Sequence, residues 1–262
     1  MDDKTDLARA ASPPPLKYYS SLPAFRTYFR TGIPILTYHK VGPRPSAAVL
    51  KFLYVSPSLF SRQMAELRKA DFTSIGLDSI PGNAGEKRIA LTFDDGFRNV
   101  LRHALQPLAD ANFHAIQFIV ADLIGKSNEW DLPMGEAPEP LMDKAEIADW
   151  LAAGHSIGAH TLTHPNLRRI PPRQAREEVF ASKKRLEDLF GVPIRHFCYP
   201  YGARDRALGE LVQEAGYETA CTTECGINEA DTPRFGLKRL TARYPSRNPR
   251  DVLARLFCWA RL

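Results

Sequence analysis

Two adjacent carboxylates at the end of an apolar run constrain this chain more than any other feature. Residues 89–93 read as a short buried strand, Asp94-Asp95-Gly96 breaks it, and Val100, Leu101, Leu105 and Leu108 follow at helical spacing. Buried charges need a partner or a metal, so two Asp side chains at the end of a core strand are expensive to place. An Asx turn or a helix N-cap accounts for one Asp more readily than for two. Strand, acidic turn, helix is also how α/β enzymes present side chains at the carboxyl ends of their strands.

The rest of the chain alternates in the same way. Residues 33–38 (IPILTY) form an expected strand that runs into His39. Residues 56–70 form a helix, with Ser56 as cap, Pro57 in the first turn and Leu59, Phe60, Met64 and Leu67 as its apolar face. Strands are expected at 72–77 and 113–120, with a turn at 81–86. A long loop at 121–143 carries Trp130 and Asp131; loops of that length are usually functional or disordered. Helices at 144–153, 172–190 and 205–215 alternate with strands at 155–159, 194–199 and 217–221, and an amphipathic helix at 249–260 ends the chain. Residues 1–32 read as an irregular Pro-rich arm and 33–262 as one domain. Strand-helix alternation without a linker or repeat predicts a parallel α/β sheet, open or closed into a barrel.

Composition narrows the partners. The net charge of +5 and pI near 9.0 are mild, but residues 234–262 hold eight Arg or Lys against one acid, Asp251. No nucleic-acid motif accompanies them, so no nucleic-acid partner is expected and a solvated basic helix is; peripheral attachment to a membrane surface stays open. No run reaches the ~18 apolar residues of a transmembrane span. The first residues are acidic and polar rather than basic then apolar, so a cytoplasmic location is expected. The four cysteines form no disulfide framework, and Cys221 and Cys225 lack the second pair a structural zinc site needs. Reduced core thiols are the expectation.

Four expected strands end in chemically equipped residues: Tyr38-His39, Phe93-Asp94-Asp95, Ala159-His160 and Cys198-Tyr199-Pro200-Tyr201. A parallel barrel gathers all such ends on one face. His160 and His164, four apart on a turn or helical start, can reach one metal. A carboxylate from a neighbouring strand would complete a set of two His and one acid, leaving positions open for water and substrate. His103, His114, His155 and His196 sit inside helix or strand patterns and read as solvated or satisfied core residues.

TFDDG, HTLTH and YPYG, in that order, resemble the polysaccharide deacetylases of carbohydrate esterase family 4, the NodB homology domain, over residues 33–244. The resemblance implies an irregular (β/α)7 barrel and one divalent metal. The activity it implies is removal of acetyl from N-acetylglucosamine units of a glycan, or from O-acetylated xylan. By position, Asp94 resembles the general base, Asp95, His160 and His164 the metal ligands, and Tyr201 the residue whose backbone N–H holds the oxyanion. Zinc is the expected ion; cobalt, nickel or manganese would tolerate the same donors. Two departures stand out. Cys198 occupies the place where the family usually has an Arg paired with the base, and no late Leu-x-His segment supplies the acid. ILTYHKV instead resembles the subgroup acting on poly-β-1,6-N-acetylglucosamine, in which that histidine comes early; His39 is then the acid, and Arg239 a candidate for the missing guanidinium. Trp130 and Tyr201 could stack on sugar rings. An O-acetyl esterase and a degenerate glycan-binding member remain open. A glycoside hydrolase using Asp94 and Asp95 is disfavoured, because its carboxylates must flank a bond ~5–9.5 Å apart.

Overall fold

The computed structural model describes residues 18–80 and 87–244. In chain order its strands and helices begin with β1 (Ile35–Tyr38), β2 (Lys40–Val41), β3 (Tyr54–Val55), α1 (Pro57–Lys69), β4 (Thr73–Ser74) and β5 (Arg88–Phe93). They continue with α2 (Arg98–Ala111), β6 (Ile116–Ile119), α3 (Lys144–Ala152), β7 (Ser156–Ala159) and α4 (Pro172–Phe190). The last are β8 (His196–Cys198), α5 (Arg206–Glu214), β9 (Thr219–Cys225) and β10 (Leu237–Thr241). The expected turn at 81–86, the expected helix at 249–260 and Cys258 lie outside the described residues.

Seven parallel strands close into a ring, β1-β5-β6-β7-β8-β9-β10 and back to β1, while β4 pairs only with the first residues of β5. This is the expected irregular (β/α)7 barrel; β9 and β10 are joined without a helix, which makes the alternation incomplete. The organising strand β5 lies between β1, with Tyr38 opposite Phe93, and β6, with Gln117 opposite Phe93. The period-2 pleat sends alternate residues to opposite sides. Ile35, Ala90, Ile116, Phe118, Cys198, Cys221 and Leu237 fill the interior of the ring, whereas Leu36, Tyr38, Ile89, Leu91 and Phe93 pack outward against the helices. The interior changes character along its axis. Apolar side chains fill its lower part, and Thr37, Thr92 and the guanidinium of Arg239 form a polar, hydrogen-bonded layer beneath the carboxyl ends.

Local chemistry fixes the helix ends. Ser56 accepts from the Leu59 N–H at the start of α1, Asp143 and Glu146 form a reciprocal capping box on α3, and Asp205 caps α5. Gly191 ends α4 with φ of 66°. Residues 18–32 contain only a short 3-10 turn, yet they belong to the core. Tyr19 pairs with the end of β10 through the Thr241 carbonyl, and Tyr19, Phe25 and Phe29 form a buried aromatic cluster. Two expectations about the C-terminal third change. Residues 237–241, assigned no element from the sequence, form a barrel strand, and Arg239 within it is 2% exposed. Cys198 and Cys221 are core residues as expected, but Cys225 is exposed, because β9 runs past the barrel rim. No described helix is long and apolar enough to cross a membrane.

Candidate active site

Asp94, Asp95, His39, His160, His164 and Tyr201 line one cavity of about 450 Å³ at the carboxyl ends of the strands. The two carboxylates divide their partners. Asp95 Oδ1 lies 3.3 Å from His160 Nε2 and 3.4 Å from His164 Nε2. Asp94 turns the other way and receives both ends of the Arg239 fork, Nη1 to Oδ1 and Nη2 to Oδ2, each at 2.7 Å. His39, leaving β1, brings its Nε2 to 3.7 Å from Asp94 Oδ2.

This division depends on unusual backbone. Six non-glycine residues among those described have positive φ, and four of them are Asp95, Thr161, His164 and Tyr201. Each such residue costs of order 1–3 kcal/mol and persists only where its surroundings hold it, so the concentration at one place marks a built site. The HTLTH segment is a bend, not the start of a helix. Thr161 Oγ1 accepts from the His164 N–H at 3.0 Å, and Glu178 of α4 accepts from the Leu162 and Thr163 N–H groups at 2.8 and 3.0 Å. Gly202, next to Tyr201, has φ of 66°, and a Cβ there would stand 2.0 Å from Thr223 Oγ1.

The donor set fits a divalent cation. Asp95, His160 and His164 offer three ligand atoms within 4.8 Å of one another, all on buried residues. Separations of 3.3 and 3.4 Å are those of donors sharing one tetrahedral ion at ~2.0–2.2 Å from each. His160 donates through Nδ1 to the Cys198 carbonyl at 2.7 Å, which turns Nε2 toward Asp95 as the nitrogen that would ligate an ion. Trp130 lies 4.4 Å from His164, nearly parallel, so this face of the indole holds an imidazole rather than a sugar. Tyr201 meets the same imidazole edge-on at 4.9 Å and is half exposed.

Electrostatics follow the partners. Burial raises the Asp94 carboxyl, but the Arg239 guanidinium, with His39 and His160, outweighs it and leaves the group below its ordinary value. Burial likewise acts against the Asp95 charge, and the two imidazoles hold that carboxyl well below the usual range. Burial also dominates at His164, which is lowered and so favours the neutral form that ligates. Burial pushes the Cys198 thiol up to about 11, so it is a neutral neighbour, with Sγ 3.2 Å from Arg239 Nη2.

Several positions of the candidate site are not legible as such in the sequence. Arg239, a candidate in the sequence, brings its guanidinium from β10 to the Asp94 carboxylate, where Cys198 offers no cation. Glu178 had a readable signal: it is a charge on the buried stripe of α4, with Ala175, Val179, Ser182 and Leu186. Asp131 is 3% exposed and lines the cavity, placed there by loop contacts that no periodicity announces.

The site is thus a buried carboxylate-imidazole centre at the mouth of a parallel barrel, beside an ion-paired second carboxylate. The polysaccharide deacetylase family model matches residues 81–220, more than half of the chain, and the chain belongs to that family. Its members are hydrolases. A protein of Bacillus subtilis strain 168 named as a polysaccharide deacetylase is 25% identical over 59% of this chain. The peptidoglycan-N-acetylglucosamine deacetylase of Listeria monocytogenes is 24% identical over 65% of it. The matches take in 51% and 32% of those two proteins, so this chain spans about half of the one and a third of the other. Among solved structures, IcaB of Ammonifex degensii shares the fold, with a TM-score of 0.69 at 22% identity over 86% of this chain and 97% of that one. A polysaccharide deacetylase of Bacillus cereus does so with a TM-score of 0.69 at 24% identity over 86% and 69%.

Proposed function

We propose that the protein is a metal-dependent N-deacetylase acting on N-acetylated sugar residues of a polysaccharide or oligosaccharide. The observation that carries this reading is the division of labour between neighbours: Asp95 belongs to two imidazoles, and Asp94 to a guanidinium and to His39. Asp95, His160 and His164 would hold the ion. When bound, a divalent cation supplies Lewis-acid chemistry, acidifying water and polarising an acyl carbonyl.

The chain's own groups do the rest. Asp94 is ionised well below neutral pH and accepts the proton that water gives up as it attacks the acetyl carbon. Arg239 holds that carboxylate in one plane through two parallel hydrogen bonds, the geometry a single ammonium would not impose. The Tyr201 N–H, set by its left-handed backbone, is assigned to the developing oxyanion. His39 gives a proton to the sugar nitrogen as the C–N bond breaks, and acetate and a free amine leave. With Nε2 at 3.7 Å from Asp94, His39 is placed beside the group that has just taken a proton.

N-acetylglucosamine appears in the name of the Listeria relative, and a chitooligosaccharide deacetylase of Bradyrhizobium is 27% identical over 61% of this chain; both support an N-acetylated sugar as substrate. Arg239 supports the catalytic reading over a degenerate binding protein, because it compensates for the departure at Cys198. The test is to incubate the zinc-loaded protein with an N-acetylglucosamine oligomer and measure acetate and reducing ends together. Acetate without new reducing ends is expected; new reducing ends without acetate would make it a glycosidase.

A further inference from the structure

The segment between β6 and α3 brings one more acid to the cavity than the proposed reaction uses. Asp131 is 3% exposed and lines the same cavity as Asp94, Asp95, His160 and His164. Its Oδ2 accepts from Asn128 Nδ2 at 3.0 Å, while its other oxygen takes part in no described hydrogen bond and is not among the polar atoms sealed from water. It is not part of the metal-type donor set: none of the converging groups of three ligand residues among those described includes it. That oxygen is the free acceptor of an otherwise buried and anchored carboxylate, and it is open to a donor entering the cavity.

The position is built, not incidental. Asn128 is fully buried; its amide oxygen accepts from the Glu139 N–H at 2.7 Å while its nitrogen holds Asp131. The Glu139 carboxylate accepts from the Tyr54 hydroxyl at 2.8 Å. Glu136 ties the same segment to the opposite wall, accepting from the Val49 and Leu50 N–H groups at 2.8 and 2.6 Å and facing Lys40 Nζ at 3.4 Å. Lys40 is wholly buried, 4.7 Å from the centres of the Tyr54 and Phe97 rings. That buried pair fixes two loops against each other, and they furnish Leu50, Phe52, Leu53, Trp130 and Met134 as apolar cavity walls. Apolar walls with one oriented acceptor suit a ring whose faces are C–H and whose edge carries hydroxyls. An acetyl group alone would need no such acceptor.

We propose that Asp131 is a specificity-determining residue whose unpaired oxygen accepts a hydrogen bond from a hydroxyl of the sugar that carries the scissile acetyl group. The sugar as ligand rests on the deacetylase reading above; the position of the acceptor does not. Asp131→Asn tests it cleanly. The amide oxygen can still accept from Asn128, while the atom facing the cavity changes from acceptor to donor.

Binding of an N-acetylglucosamine tetramer is measured by calorimetry with and without Asp131→Asn, both in an Asp94→Asn background so that the oligomer is not consumed. The dissociation constant should rise about tenfold to a hundredfold, the worth of a hydrogen bond to a charged group. Of tetramers deoxygenated at single hydroxyls of the reacting sugar, one should bind the two proteins equally. On the otherwise native protein, Asp131→Asn should leave metal content and turnover of an aryl acetate within about twofold while raising KM for the tetramer. Equal tetramer affinity with and without the substitution overturns the proposal. Loss of metal would make Asp131 a ligand and overturns it as well, and so would equal losses on tetramer and aryl acetate. A background protein that does not bind the tetramer overturns the sugar-hydroxyl assignment, while acetate release by the native protein judges the deacetylase reading separately.

Discussion

Arg239→Met removes the group on which the electrostatics of the site turn. The guanidinium is buried and spends its donors on the Thr222 carbonyl, the Thr37 and Thr92 hydroxyls and both oxygens of Asp94. Without it Asp94 keeps His39 at 3.7 Å, the Cys198 thiol, also at 3.7 Å, and the more distant charge of His160. Breaking one side of a buried ion pair costs about 3–5 kcal/mol, because the other charge stays buried and uncompensated. The sign with pH follows. In the native protein Asp94 lies below its ordinary value, so the pair contributes stability above the unfolded carboxylate pKa and loses it as pH falls through the folded one. In Arg239→Met burial is opposed only by His39 and His160 and the Asp94 carboxyl moves up, so the variant loses stability as pH rises from about 4 toward neutrality. The difference between the proteins should therefore be small in acid and largest near pH 7. Adding Asp94→Asn removes the stranded charge and should restore about half of the loss or more. Urea unfolding between pH 4 and 8 measures this, and the acid limb of kcat/KM should move to higher pH in Arg239→Met. A loss below about 1 kcal/mol at pH 7 with an unmoved acid limb would refute the role given to Arg239.

His160→Ala or His164→Ala removes one of three protein donors and should strip both zinc and activity, measured by elemental analysis and acetate release; full metal occupancy in His160→Ala would refute the ligand set. His39→Ala should keep fold and metal and lose about 10²–10⁴ in turnover on N-acetyl substrates, with much smaller losses on aryl acetates whose leaving group needs no proton; equal losses on both would remove it from the acid role. His196 lies at the far end of the barrel, and burial pushes it down to about 4. A depressed histidine binds fewer protons folded than unfolded, so stability should fall between about pH 6.5 and 4, by up to ~3 kcal/mol at this site. A His196→Gln variant whose urea stability keeps the native slope over that range would contradict this.

How much of this was readable follows from what each residue depends on. The barrel strands announced themselves as apolar runs bounded by Gly, Pro or acids, and the chemistry at their ends was visible because a parallel barrel collects those ends by topology. β10 was missed: LKRLT carries two cations, and only the closed ring shows that Lys238 is part-exposed while Arg239 points inward to a carboxylate. Where a turn or helical start is expected at His160–His164, the chain takes a bend, for a reason that lies partly outside the segment. Thr161 and His164 take left-handed backbone, held by Thr161 Oγ1 and by Glu178 from a helix that begins at residue 172, contacts no local pattern encodes. Asp131 depends on Asn128, which depends on Glu139, a chain of tertiary contacts inside what reads as an unstructured loop. Short strands were overdrawn by one to three residues at their ends, where apolar composition continues after pairing stops.

On the proposed reading Asp94 does base chemistry at a metal centre it does not belong to. The most direct measurement is acetate released from an N-acetylglucosamine oligomer by native protein and by Asp94→Asn, each reconstituted with zinc and assayed for metal in the same sample. Equal zinc in both, with acetate release by the native protein and about 10²–10⁴ less by the variant, is the predicted result. Zinc lost from Asp94→Asn, or acetate release undiminished with zinc retained, would contradict it.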